Sequence, residues 1–498
     1  MPKNILRGSR VKRSSKRAND FISSIGFDAP IAKHVVSINM AHMLSLHRSK
    51  EVDDEVASAS LRFLGSLPEV IKLDRGTEDV HHMLEQDAIR AIGMDAAGYM
   101  NLGKSRNDQV ATALRMETRA RLLDLGGALV DVQRSLIRLM EEYGRLAMPG
   151  YTHLQHAQPV TVAHHLQAYF EALQRDLERV SDAYPRVNLS PMGSAALAGT
   201  SVRVDRDYVA SLLGFEGLVK NAMDAVSSRD FVLESLSTAA RVMVNLSRIA
   251  EELILWSSLE FGFVEIGDEY AATSSIMPQK KNPVVAETVR AKCGSVLGEL
   301  TSVFAITKGL PNSYNLDLQE ANPHLWRGLA DAIDSASLTA EMLSSLRFNP
   351  ERLKSALHED KSTTTELANL LSRAHGVPFR QAHAIVGQLV RLSLETGAPL
   401  EDVAASELAS VSEKVTGRAV KIDKQELRSA LDALKTLEMT RSAGGANPLL
   451  VSRLLMEDSE AVKRNSSWIA RARGSLEGAD ERLKGDARRI AIGVKTKR

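Results

Sequence analysis

The sequence predicts an all-α protein. Aromatic residues make up only 4% of the chain, and alternating runs of β-branched residues are scarce. Leu, Ala, Arg and Glu instead fill long stretches in which apolar positions recur at threes and fours. Ile31, Val35, Ile38, Leu44 and Leu46 set that spacing in residues 28–65, and a second short helical run reaches Leu64. Thr77-Glu78-Asp79-Val80-His81-His82 opens a helix through about Ile92, its acids suited to capping or to the helix dipole. His81 could instead face a site.

Gly103-Lys104-Ser105-Arg106-Asn107-Asp108-Gln109 precedes a proline-free run to about Tyr143, striped by Leu114, Leu122, Leu125, Leu129, Val132, Leu136 and Leu139. Such a helix spans ~50 Å at ~1.5 Å per residue and must pack along its length in a bundle. A polar interruption, Pro149 to Pro159, leads to a helix from Val160 to about Ala183. His164 and His165 within it are adjacent, so they point in different directions and read as ordinary helix residues rather than a metal pair. After a loop around Ser190–Ser194 and Gly199, a long helix runs from Arg229 to Phe261, packing through Leu233, Leu236, Ala240, Met243, Ile249, Leu253 and Trp256.

Next comes Thr273-Ser274-Ser275-Ile276-Met277-Pro278-Gln279-Lys280-Lys281-Asn282-Pro283, a cationic loop that two prolines keep out of any regular helix. Asn282 is placed to cap, and Pro283 to begin, the helix marked by Val285, Val289, Cys293, Val296, Leu300, Val303 and Phe304. That helix stops at Gly309-Leu310-Pro311, and a polar turn, Asn312 to Glu320, precedes another helix to about Leu346. Asn349-Pro350 marks a boundary. The chain therefore divides into a helical domain at 1–107, a central bundle at 108–350 and a smaller helical domain at 351–498.

With 498 residues, 44% of them hydrophobic, 25% charged and a formal net charge of +1, nothing global points to disorder, nucleic acid or an anionic membrane. The single cysteine, Cys293, forms no intrachain disulfide and reads as a buried, inert thiol in a helix. No apolar run reaches signal-peptide or membrane-spanning length, so the expectation is a cytoplasmic protein. The basic cluster of Lys3, Arg7, Arg10, Lys12, Arg13, Lys16 and Arg17 reads as an arm rather than a nucleic-acid patch, since it lacks aromatics. The last residues, Lys495 to Arg498, read as frayed.

The turns hold the chemistry: Arg106, Asn107, Thr152, His153, Ser274, Lys280, Asn282, Tyr314 and Gln319. No Cys/His or carboxylate cluster suggests a metal, and no glycine-rich fingerprint suggests a nucleotide. Cations and amides suit carboxylates, while Ser and His suit proton transfer, so the set points to acid–base chemistry on a small anion.

Together the turns resemble the fumarase/aspartase superfamily and, within it, the argininosuccinate lyase family. The superfamily signature is Ser274 to Asn282. The narrower likeness rests on Ser105-Arg106-Asn107-Asp108-Gln109, on Gly150 to Gln155 with Ala157-Gln158-Pro159, on Tyr314-Asn315 with Asp317 to Glu320, and on Val377-Pro378-Phe379-Arg380 with Ala382-His383. The resemblance implies a three-domain helical fold, a homotetramer with a common helical core, and active sites shared between subunits. It implies reversible elimination of argininosuccinate to arginine and fumarate, in arginine biosynthesis, without cofactor or metal. Carried over residue by residue, Ser274 is the base, His153 delivers a proton, Glu287 orients that imidazole and Lys280 faces a carboxylate. Ser24, Arg106, Asn107, Thr152, Asn282, Tyr314 and Gln319 contact substrate, and Lys281 faces only water. Three departures stand out. Thr273 replaces a glycine, Asn322 stands where many relatives carry a substrate-binding lysine, and the arm Leu6 to Val11 matches loosely. The alternatives are a sister lyase releasing fumarate from another substrate, or a non-catalytic, crystallin-like use of the scaffold.

Overall fold

A computed structural model describes residues 15–359 and 361–493. The basic cluster from Lys3 to Arg13, the arm at Leu6 to Val11 and the terminal residues Lys495 to Arg498 lie outside the described residues. The first helices are α1 (Ala32–Arg48), α2 (Asp54–Ser66) and α3 (Val80–Ile92). Asp53 and Asp79 cap the second and third, each accepting a backbone N–H with its side chain. The long helix α4 (Arg106–Glu142) begins in a capping box in which Ser105 and Asp108 satisfy each other's backbone. All seven leucine and valine residues of its predicted stripe are 0% exposed.

The interruption at 149–159 is a β-hairpin of β1 (Ala147–Thr152) and β2 (Gln155–Thr161), an element that the helical reading did not contain. Pro149 and Pro159 face each other in its register, which a two-stranded ribbon tolerates because each strand has a free edge. The hairpin delays the next helix, α5 (Val162–Val187), whose cap is the Thr161 hydroxyl. Helix α6 (Asp230–Trp256) buries the predicted face, with Leu233 half-buried, and ends before Phe261.

The cationic loop is closed by a two-residue ladder of β3 (Ala272–Thr273) and β4 (Lys281–Asn282). Asn282 is thus a strand residue rather than a cap, and Pro283 stands just outside α7 (Val284–Thr307), which lacks a side-chain cap. Helix α7 packs between α6 and α8 (Asp317–Ser345). Val289, Cys293, Val296 and Val303 are buried, whereas Phe304 is 51% exposed.

A second, separate core holds α9 (Thr364–Arg373), α10 (Phe379–Thr396), α11 (Leu400–Thr416) and α12 (Lys424–Leu431) around Leu371, Ile385, Leu389 and Leu427. The last helix, α13 (Pro448–Ala491), has 44 residues and returns to the main core, burying Val451, Val462, Ile469 and Leu483. It packs along α1, α2, α4 and α5.

Gly328 of α8 lies in close contact with α6, since a Cβ there would lie 2.5 Å from Leu236 Cδ2, and Leu236 is 0% exposed. Gly328→Ala should cost about 1–2 kcal/mol in urea denaturation, the overpacking strain exceeding the gain in helix propensity.

Candidate active site

Four of the sequence-predicted residues converge in one polar cavity. Ser24, Arg106, Tyr314 and Gln319 line it, drawn from the segment before α1, the start of α4 and the turn into α8. Three of them are held by the backbone or by a neighbour. Ser24 N donates to Glu78 O at 3.0 Å, and its hydroxyl donates to Asp28 Oδ2 at 2.9 Å. Gln319 Nε2 donates to Ile22 O at 2.9 Å. The Arg106 guanidinium does pair with a carboxylate, that of Asp79, whose other oxygen caps α3 at 2.7 Å.

The same cavity contains groups that the sequence did not single out as site residues: Asp28 and Arg229, with Asp79 read only as a cap, His81 left open and Asn322 noted as a departure. Arg229 had a legible signal. It directly precedes a 27-residue helix, where a cation opposes the helix dipole. Burial pushes the Asp28 carboxyl up to about 7, against hydrogen bonds from Val80 N and Ser24 that pull it down. Burial also lowers the His81 imidazole to about 4, which keeps it neutral near pH 7.

Behind the cavity a buried hub holds the start of α4. Asp108 is 0% exposed and accepts Ser105 N at 3.0 Å, Gly193 N at 3.2 Å and Ala195 N at 2.9 Å. Burial raises its carboxyl to about 6. Lys104, hydrogen-bonded to Asn39 Oδ1, is lowered by burial to about 7, with Asp108 and Glu85 opposing that shift. Asn107 turns outward from the hub, and its Nδ2 donates to Ala196 O at 3.0 Å.

The remaining predicted residues lie elsewhere on the surface of the chain. Thr152 and His153 sit at the hairpin tip, and the register pairs Thr152 with Gln155. His153 and Leu154 therefore form a two-residue turn, both at φ 56°, the left-handed region that side chains seldom adopt. Both are exposed. Glu287, in the first turn of α7, is also exposed. Among the described residues no hydrogen bond or ion pair joins it to His153.

The Ser274 loop has its own geometry. Ile276 N and Met277 N donate to Ser274 Oγ at 3.2 and 3.1 Å, and Ser274 N donates to Lys280 O at 3.3 Å. Two amide donors aimed at one hydroxyl oxygen favour negative charge on it. Lys280 is exposed. Lys281, expected to face only water, instead pairs with Asp268 Oδ1 at 2.6 Å and Glu265 Oε1 at 3.2 Å. Those pairs pin the base of the loop and leave the neighbouring ammonium group available for an anion. His165, read as an ordinary helix residue, meets Glu252 Oε2 at 2.5 Å, an acceptor that it shares with the Tyr169 hydroxyl.

The Asp28 shift has a testable sign. The native state holds a proton that the unfolded chain releases above about pH 4. The associated stability is therefore fully present below that value and is lost as pH rises through about 7. Asp28→Asn cannot lose this proton, so its melting temperature should gain on the parent's between pH 5 and 8, as thermal scans across buffers would measure.

A family model described as lyase matches residues 11–298, and one described as argininosuccinate lyase C-terminal matches residues 361–438. The argininosuccinate lyase of Methanothrix thermoacetophila is 45% identical over 483 residues, covering 96% of this chain and 98% of that protein. That of Methanothermobacter thermautotrophicus is 43% identical over 461 residues, covering 92% and 98%. Among solved structures, EDDS lyase in complex with formate superposes at a TM-score of 0.87 with 27% identity, covering 98% of this chain and 99% of that one. The chain belongs to the argininosuccinate lyase family.

Proposed function

We propose that the chain catalyses the reversible elimination of argininosuccinate to arginine and fumarate, as a step of arginine biosynthesis. The observation that carries this reading is the Ser274 hydroxyl in its two-amide cradle, within a chain that resembles argininosuccinate lyases from end to end. A serine is a weak base unless its alkoxide is stabilised, and two backbone donors beside an ammonium group supply that stabilisation. Ser274 removes the proton from the carbon next to a substrate carboxylate. Lys280 and Asn282 hold the aci-carboxylate that forms. His153 returns a proton to the departing guanidinium nitrogen, with Glu287 orienting its ring. Ser24, Arg106, Asn107, Thr152, Tyr314 and Gln319 hold the substrate, and no cofactor is needed.

The hairpin tip, the Ser274 loop and the Ser24–Tyr314 cavity face outward on different parts of one chain, so we infer that they meet between chains of a homotetramer. Support comes from the central helices. Val244 of α6, Leu297 and Phe304 of α7 and Leu338 of α8 are each at least 40% exposed, which neighbouring copies would cover. The division at 1–107, 108–350 and 351–498 remains our reading of the domains, with α13 rejoining the central body. A cytoplasmic location accords with the absence, among the described residues, of any helix long and apolar enough to cross a membrane.

Release of fumarate from argininosuccinate, followed by its ultraviolet absorbance, tests the activity; turnover of another succinylated substrate in its place would favour the sister-lyase alternative. Ser274→Ala should lower kcat about 10²–10⁴-fold, the usual contribution of an acid–base group, and near-normal turnover would reject Ser274 as the base. Phe304→Glu should shift the assembly to smaller species in light scattering and lower activity with it.

A further inference from the structure

The hairpin tip carries His153 in a conformation that its own ladder does little to hold. His153 and Leu154 both lie in the left-handed region, and such residues persist where the surrounding structure over-determines them. Two register pairs, Thr152 with Gln155 and Tyr151 with His156, separate the turn from the irregularity between Pro149 and Tyr151. Beyond it Pro149 faces Pro159, and neither has an N–H to give the ladder. A two-stranded ribbon by itself is marginal in water. The place of the imidazole is therefore set by a tertiary contact.

Tyr151 supplies one. Its ring meets His156 edge-on with centroids 5.0 Å apart, and its hydroxyl is hydrogen-bonded to His156 Nε2 at 3.1 Å, which ties the two strands close below the turn. The same ring packs on Phe261 at 5.8 Å and on Phe263 at 6.4 Å, and those two rings meet edge to face at 5.4 Å. Phe263 is 1% exposed. Its backbone is held on both sides, since its N donates to Trp256 O at 2.9 Å and its O accepts from Asn349 N at 2.8 Å. Phe261 O accepts from Arg352 Nε at 3.0 Å.

This seat continues into the anchor of the Ser274 loop. Val264 and Glu265 pair with Phe348 and Arg347 in a short antiparallel ladder, and Gly267 N donates to Ser345 Oγ at 3.1 Å. Glu265 and Asp268 are the acids that hold Lys281. Phe263 and Glu265 are two positions apart, a chain reach of at most ~7 Å. Residues 261–268 thus form one bolted strip, with the seat of Tyr151 at one end and the anchor of the Ser274 loop at the other.

We propose that Tyr151 is a positioning residue for His153, seating the hairpin tip on the strip that also anchors the Ser274 loop. This rests on the elimination reading of the previous subsection, in which His153 returns the proton. Tyr151 acts through that imidazole rather than on the substrate. Its ring fixes the course of β1 as it enters the turn, and a displacement of about 1 Å at a reacting group costs on the order of 10²-fold in rate.

A double-mutant cycle in the assembled enzyme, with fumarate release from argininosuccinate as the readout, tests the assignment. Tyr151→Leu alone should lower kcat about 10–100-fold and change KM by less than about 3-fold, as for a group that matters only in the transition state. In the His153→Gln background the same substitution should cost less than about 2-fold, because the group through which it acts is gone. An equal loss in both backgrounds is what a merely structural role would give, and it would overturn the proposal, as would parent-level kcat in Tyr151→Leu. Should the leucine variant fail to assemble, Tyr151→Phe keeps the ring and removes the tie to His156. A loss of about 3–10-fold, the worth of one hydrogen bond, supports the assignment when it is confined to the enzyme that retains His153; no loss, or an equal loss in both, overturns it. Near-parent turnover in His153→Gln would reject His153 as the proton donor and this proposal with it. Failure of the parent to release fumarate would instead reject the elimination reading, so the failures are distinguishable.

Discussion

The carboxylate of Asp108 is the interaction on which the site depends. It is fully buried, yet three backbone amides converge on it, one from its own helix start and two from a remote loop. One of them closes the capping box of α4; the other two fold the 190–199 loop against the helix start. Without that acceptor, the buried Gly193 N–H and the part-buried N–H groups of Ser105 and Ala195 would lose their partner, and the turn carrying Arg106 and Asn107 would lose its backstop. The longest helix of the bundle and the polar wall of the cavity are thus aligned by one side chain.

Rigid framing at that end contrasts with the two elements to which we assign proton transfer. The hairpin tip holds His153 in a left-handed backbone conformation, and the Ser274 loop is a short excursion between two ladder pairs. Both take their shape from local hydrogen bonding rather than from the core. Their precision comes from the ribbon at the base of each: Gly150 lets β1 pass close to Gln158 O, which a Cβ at that position would meet at 2.5 Å, and the Lys281 ion pairs anchor the other loop. Such elements adjust to a ligand at little cost to the bundle.

The legible parts of the fold were those governed by periodicity. Each stripe residue of α4 is buried because a 3.6-residue repeat leaves only one face for apolar side chains. The hairpin at 147–161 was hidden, since its two prolines read as breakers and its tip, His153-Leu154, lacks the Asn-Gly or Asp-Gly chemistry that announces such turns. The 44-residue α13 was hidden for another reason: its charged residues are spread widely and its apolar ones are sparse. In the site, the motif-bearing residues were visible as strings, whereas Asp28 was not, and Arg229 showed only as a cation misplaced at a helix start. Their importance arises from convergence of segments some two hundred positions apart, which no local pattern encodes.

Helix α13 has a consequence for how the molecule comes into being. Ala491 O accepts from Ser58 Oγ at 3.0 Å and from Arg62 at 3.1 Å, so the earliest helices close against nearly the last residues described. During synthesis α1, α2, α4 and α5 emerge from the ribosome long before their covering helix exists. The nascent body must hold its apolar groove open to solvent for the whole intervening elongation, which leaves the covering of that groove to the far end of the chain.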